Sequence, residues 1–242
     1  MLEALLWGLV GGGALLVGAV IGILAPTSQR VIGLVMGFGA GVLISALAFE
    51  LTSEAFRQGG ADVVAAGLAA GAITFFVGDW IIDHRGGNQR KRSGGEQADG
   101  SASAIALGAL MDGIPESVAI GVSLVGRGTV GIAVVAAVFL SNVPESLSAA
   151  TGMEKAGHSR KYILGLWAGV TAISGVSSLA GFALLGGAPP DAIGTIQAFA
   201  GGAILTMLAD TMMPEAFEHG GSWVGLLTVL GFALSFVVST LE

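Results

Sequence analysis

The chain has 242 residues, of which 53% are hydrophobic and 11% charged, with a net charge of −7 and a mean hydropathy of +0.83. A soluble domain is roughly a quarter charged, so a water-soluble protein is excluded, and about eight apolar stretches of spanning length leave no room for a separate soluble domain. With no cysteine there is no disulfide framework, thiolate metal site or thiol nucleophile.

The first apolar stretch, at about 2–24, has no basic leader and no small-residue cleavage site, so it is predicted to be retained as a helix. The further predicted helices lie at about 31–54, 61–83, 103–125, 129–151, 161–186, 192–214 and 222–241. The expected fold class is an all-α integral membrane protein, a single transmembrane domain over 1–242 embedded in a lipid bilayer. The 41 glycines predict tightly packed helices, because small residues let backbones approach where lipid removes the hydrophobic drive. The longest break, about 84–101, is rich in Gly, Ser, Gln and basic residues and reads as an exposed loop. It carries Arg85, Arg90, Lys91 and Arg92. The loops predicted on the same face add Arg30, Lys155, Arg160 and Lys161, which leaves only Arg57 and Arg127 opposite. The positive-inside rule then puts that loop in the cytoplasm and both termini outside.

Two internal repeats emerge along the same pass. Phe38 to Gly60, FGAGVLISALAFELTSEAFRQGG, aligns without gaps on Phe199 to Gly221, FAGGAILTMLADTMMPEAFEHGG. Gly41 pairs with Gly202, Glu54 with Glu215 and Phe56 with Phe217. The predicted topology runs the two copies in opposite directions, as in the inverted repeats of many secondary transporters. Nested between them, Asp112 to Ser117, DGIPES, matches Ser141 to Ser146, SNVPES.

The chemistry concentrates in this inner pair. Glu116 and Glu145 fall near the middle of apolar helices, where an unpaired, unsolvated charge costs about 3 kcal/mol or more. Asp112 precedes Glu116 by one helical turn, as Ser141 precedes Glu145, so each pair shares a helix face. Asn142 adds another oxygen. Pro115 and Pro144 have no amide hydrogen, which predicts freed carbonyls at Met111 and Leu140. Carboxylates beside loosened carbonyls at mid-membrane make an oxygen-rich cage suited to a divalent cation. Two blander readings stand beside it: protonated glutamates that tie helices together, and a proton relay without metal.

These motifs resemble the ZIP (Zrt/Irt-like protein) family of metal transporters, whose fourth helix usually carries His-Asn-x-Pro-Glu-Gly. The second helix, AGVLISALAFELTSEAF, and the seventh, AGGAILTMLADTMMPEAF, are similar to that family's corresponding helices, and the resemblance covers nearly the whole chain. It implies eight helices in a 3+2+3 arrangement, movement of Zn²⁺, Fe²⁺ or Mn²⁺ toward the cytoplasm of a bacterial or archaeal cell, and frequently a homodimer. It also implies a metal site of Asp112, Glu116, Ser141, Asn142 and Glu145. The metal is the substrate; no organic cofactor, enzymatic activity or nucleic-acid partner is expected. The sequence departs from the family at Asp112, where histidine is usual, at Gly113, where asparagine is usual, and at Ser117 and Ser146, where glycine is frequent. Helix six, SGVSSLAGF, lacks the glutamate that many prokaryotic members carry near Gly181.

Other charges are weaker pointers. Asp210 reads either as a transient pathway ligand or as a structural acid. Glu50, Glu54 and Glu215 lie near predicted helix ends, as inlet or outlet ligands or as solvated interfacial acids. Asp79, Asp83 and His84 read as a solvated cytoplasmic end or a weak docking site for released metal. His84, His158 and His219 all fall outside the predicted apolar cores. An intramembrane protease is disfavoured, because no Gly-x-Gly-Asp element and no His-Glu-x-x-His helix is present. A ZIP-like protein that senses metal or scaffolds partners without transporting remains the alternative function.

Overall fold

A computed structural model describes residues 1–25, 27–84, 102–127 and 129–241, and all the regular structure among them is helical. The helices are α1 (Leu2–Leu24), α2 (Gln29–Ala46), α3 (Ser53–Ile82), α4 (Ala102–Arg127), α5 (Ile132–Lys155), α6 (Arg160–Leu185), α7 (Pro190–Met207), α8 (Met213–Gly220) and α9 (Trp223–Ser239). Apart from His84, the predicted 84–101 loop lies outside the described residues. Serine caps begin two of the helices: Ser28 accepts from the Val31 amide and Ser159 from the Tyr162 amide, each satisfying a donor that the first turn leaves open.

Among the described residues six helical stretches are long and apolar enough to cross a membrane, and one of them, Gln29–Ile82, runs to 54 residues. At about 1.5 Å per residue that stretch is far longer than a bilayer is thick. It divides at Gly60, whose φ of 75° and ψ of −174° no helix interior adopts. The residue lacks a Cβ, so the left-handed half of backbone space is open to it. The predicted helix end near 54 is therefore overrun by several residues, because Ser53, Glu54 and Arg57 are polar but do not break a helix. A second stretch, Pro190–Gly220, ends the same way at Gly221, with φ 62°. The last apolar helix, α9, is 17 residues long, about 26 Å and slightly short of a hydrocarbon core.

The two long stretches share a second feature. A π-helical turn joins α2 to α3 at Leu47–Thr52, and another joins α7 to α8 at Leu208–Met212. The two turns begin at the same position in the gapless alignment of Phe38–Gly60 on Phe199–Gly221. Packing follows the same correspondence. A Cβ added to Gly41 would strike the Thr228 carbonyl, and one added to Gly202 would strike the Leu68 carbonyl; Gly71 lies likewise against Phe199, and Gly231 against Phe38. Gly33 abuts Ala216 and Gly220 while Gly194 abuts Ala55 and Gly59, so the part of the first stretch before Gly60 runs opposite to Pro190–Gly220.

Contacts sort the helices into two bodies. In the first, α1 packs on α5 and α6, and α4 packs on α6; in the second, α2 packs on α8 and α9, and α3 on α7. The bodies meet where α2 touches α5 and α4 touches α7. Within the first body the helices are joined by hydroxyls donating to backbone carbonyls, Thr171 to Gly12 at 2.9 Å and Ser178 to Ala4 at 2.8 Å. Side chains of this kind are the usual glue between helices in lipid. The surface reverses that of a soluble protein: Phe76, Leu226, Val229, Leu230 and Val237 are exposed, whereas Asp112, Glu116, Glu145 and Glu215 are buried. Hydrocarbon as the outer solvent accounts for both halves of that pattern.

Candidate functional site

All five residues of the predicted metal site are buried: Glu116 and Ser141 at 0% exposure, Asp112 at 2%, Asn142 at 3% and Glu145 at 4%. Asp112 and Glu116 lie on α4, the other three on α5, and the two helices touch. Both helices continue through their internal prolines. The aligned serines act identically beside them: Ser117 Oγ donates to the Gly113 carbonyl at 2.7 Å, and Ser146 Oγ to the Asn142 carbonyl at 2.8 Å. Each such bond reaches back one turn and draws on a carbonyl next to the proline break. The Leu140 carbonyl faces α2 at Gly39, where an added Cβ would stand 3.3 Å away.

The polar groups of the site are partly committed. Ser141 Oγ donates to the Val138 carbonyl at 3.0 Å, and Asn142 Nδ2 reaches the Gly11 carbonyl of α1 at 3.1 Å. The Asn142 amide nitrogen thus fixes α5 against α1 and leaves its oxygen as the group suited to a cation. Among the described residues no three His, Cys, Asp or Glu side chains gather around one point as a preformed metal cluster. What the fold assembles is a buried pair of carboxylate-bearing helix faces with hydroxyl and amide oxygens beside them.

The outlying acids separate by environment. Glu50, in the first π turn, is 6% exposed and accepts a hydrogen bond from Ser239 of α9. Glu54 is held by its own helix, paired with Arg57 and accepting from Gln58 Nε2 at 2.9 Å. Glu215 is 4% exposed and accepts from Ser148 of α5, across the junction of the two bodies. Asp210 is exposed and opens, with Ala72, Ile73, Phe76, Leu205, Thr206 and Ala209, onto an outward groove between α3 and α7. It lies in the second π turn, where five-residue closure shifts side chains off the 3.6-residue wheel. At the far end of α3, His84 bonds the Trp80 carbonyl at 2.7 Å and packs on the Trp80 ring.

Two polar residues of this region are not apparent from hydropathy alone. His219, expected outside the apolar cores, has a side chain only 11% exposed, with Nε2 4.0 Å from Glu215 Oε1. The signal for it was the Glu-x-x-x-His spacing, which stacks the two side chains on one helix face. Ser148 is fully buried, and its signal was a position one turn beyond Glu145 on the same helix.

The all-helical architecture, the spanning lengths and the apolar exterior define a polytopic helical integral membrane protein. No protein-family model matches the chain, and no curated protein matches its sequence.

Proposed function

We propose that this chain is a membrane transporter that moves divalent metal cations of the zinc, iron and manganese class into the cytoplasm, in the manner of the ZIP family that its motifs resemble. The observation that carries this reading is the burial of Asp112, Glu116 and Glu145 on two touching helices that each hold an internal proline. Acids at such depth are retained for binding, because hydrocarbon or apolar packing would otherwise favour their loss. Asp112, Glu116, Ser141, Asn142 and Glu145 are the proposed ligands, with Glu54 and Glu215 toward the two ends of the pathway. Ligands from α4 and α5 close on the ion as it enters, in keeping with the absence of a preformed three-residue cluster among the described residues.

The reading includes eight spans. Gln29–Ile82 supplies two of them, divided at Gly60, and α9 is the last, so that both termini lie outside. It also includes an inverted repeat, for which the matched π turns, the positive-φ glycines and the reciprocal glycine contacts are the support. In such folds alternating access comes from one bundle rocking against the other around a fixed site. The two bodies and their junction, where Ser141 of α5 lies against Gly39 of α2, suit that movement. The expected host is a bacterial or archaeal cell membrane, with the protein as a homodimer. The alternative, a ZIP-like metal sensor without flux, draws on Asp112 in place of histidine.

Purified protein in liposomes tests this directly. Wild type takes up Zn²⁺, Fe²⁺ or Mn²⁺, while Glu116→Ala and Glu145→Ala each lose uptake at least tenfold and still elute as folded protein. Wild-type uptake by either variant overturns the site. Metal binding without uptake by the wild type supports the sensor.

A further inference from the structure

The glycine contacts fix which residues of α3 and α9 hold equivalent places beside α7 and α2. Gly71 lies against Phe199 and Ala203 as Gly231 lies against Phe38 and Val42, and the Leu68 carbonyl meets Gly202 as the Thr228 carbonyl meets Gly41. Position 72 therefore corresponds to 232, and 76 to 236, while the gapless alignment sets Asp210 against Phe49. In the α2–α9 pair these three places hold phenylalanines in contact: the Phe49 ring lies 5.9 Å from that of Phe232 and 4.9 Å from that of Phe236. In the α7–α3 pair they hold Asp210, Ala72 and Phe76, and all three line the groove between those helices, about 420 Å³ in volume. The groove is thus the space that two rings fill in the other pair, with a carboxylate and one ring left to line it.

We infer that this groove seats a membrane phospholipid with an ethanolamine head group, its ammonium on Asp210 and its chain along Ala72, Ile73 and Leu205. Such a site holds whether or not the chain carries metal. The groove opens on the apolar exterior, where Ile73 and Phe76 are exposed, and a carboxylate facing hydrocarbon is costly until a cation or a proton meets it. Asp79 is the second carboxylate of the site. It corresponds to Ser239, which bonds Glu50 in the π turn of the other pair, and its charge acts on Asp210. Depth agrees with a head group. Trp80, exposed and next to Asp79 in the chain, is the kind of residue that settles at a membrane–water interface, and Ala72 and Ile73 lie about two turns deeper, at the level of acyl chains. Phe76, one turn from Ala72 and one from Trp80, supplies a ring on which an ammonium can rest. A primary ammonium offers three N–H donors to the two carboxylates, whereas trimethylammonium offers none, so the carboxylates select ethanolamine over choline.

Native mass spectrometry of the purified protein in detergent reads the preference directly, with phospholipids of identical chains and ethanolamine, choline or glycerol head groups supplied in equal amounts. A hydrogen bond to a charged group is enough for about tenfold in affinity, so the wild type retains the ethanolamine lipid about tenfold over the choline lipid. Asp210→Asn, a change at an exposed residue, lowers that ratio to near one. Ala72→Phe restores a ring where Phe232 stands in the other pair, and removes the bound lipid while the protein still elutes as folded. Equal retention of the three lipids by the wild type overturns head-group recognition, and so does a preference for the anionic glycerol lipid. A preference that survives Asp210→Asn, or retention that Ala72→Phe leaves intact, puts the lipid elsewhere and overturns the site. Where Ala72→Phe is not recovered folded, Ala72→Leu fills part of the groove and lowers retention severalfold; no change there overturns the site equally. Because the chain has no cysteine, Ile73→Cys in vesicles of ethanolamine lipid tests the other occupant, a second copy of the chain. No intermolecular disulfide is expected, and efficient formation of one overturns the lipid assignment.

Discussion

Asp112 is the proposed ligand that departs most sharply from the ZIP-family pattern, and under the transport proposal it bears on the choice of ion. The proposed ligands are oxygen donors throughout, with no imidazole or thiolate. Nitrogen and sulfur favour zinc, whereas carboxylate, carbonyl and water suit harder ions such as Mn²⁺, with Fe²⁺ between them. Asp112→His is therefore expected to move the uptake ratio in liposomes severalfold from Mn²⁺ and Fe²⁺ toward Zn²⁺. A strong zinc preference in the wild type that the histidine leaves unchanged would remove position 112 from selectivity. At this scale Glu116 and Glu145 were legible in the sequence, because an acid within a long apolar run stands out against its neighbours. Ser148 was not, since a serine in a glycine-rich helix carries no such contrast, and its meaning depends on a carboxylate distant in sequence.

Helices in this molecule are held together by what their glycines allow. Without a hydrophobic drive between apolar surfaces in lipid, close van der Waals contact and hydroxyl-to-carbonyl bonds supply the association. Gly41 and Gly202 are among the sharpest cases, each having a backbone carbonyl of the neighbouring helix where a Cβ would lie. Gly41→Leu and Gly202→Leu should each destabilise the fold by roughly 2 kcal/mol or more through overpacking, read as a fall of about 5 °C in the thermal midpoint in detergent. Gly225→Ala is the control. Nothing lies within 4 Å of that position, so no loss is expected there, and equal losses in all three variants would mean that close approach at positions 41 and 202 is not what their glycines serve. The high glycine content predicted tight packing. Which glycines bear it follows from the partner helices.

At the scale of the whole molecule, charge sets orientation and burial sets the division of labour. Lys155 ends α5 and Asp191 begins α7, and both are exposed at helix ends. With the basic loops inside, Lys155→Cys should be shielded from an impermeant thiol reagent in intact cells, and Asp191→Cys should label. The reverse pattern would invert the membrane orientation and the direction assigned to transport. In space α1, α4, α5 and α6 form one body and α2, α3, α7, α8 and α9 the other. The mid-membrane acids of the proposed site belong to the first body and Glu215 to the second, which is why relative movement of the two would change what each carboxylate faces.

Composition and periodicity alone determined that the chain is helical and resides in lipid, because apolar length and scarcity of charge are local properties that hydrocarbon enforces on every segment. They also marked the two Pro-Glu-Ser helices and the long repeat. Tertiary structure decided the rest. Gly60 became the reversal within Gln29–Ile82, a choice that depends on backbone torsion and not on polarity. Asp210 turned to an outer groove while His219 and Glu215 went inside, because π turns and neighbouring helices determine which face of a helix is interior. A residue's exposure is a property of what packs beside it, and for these helices the partners come from the opposite half of the chain.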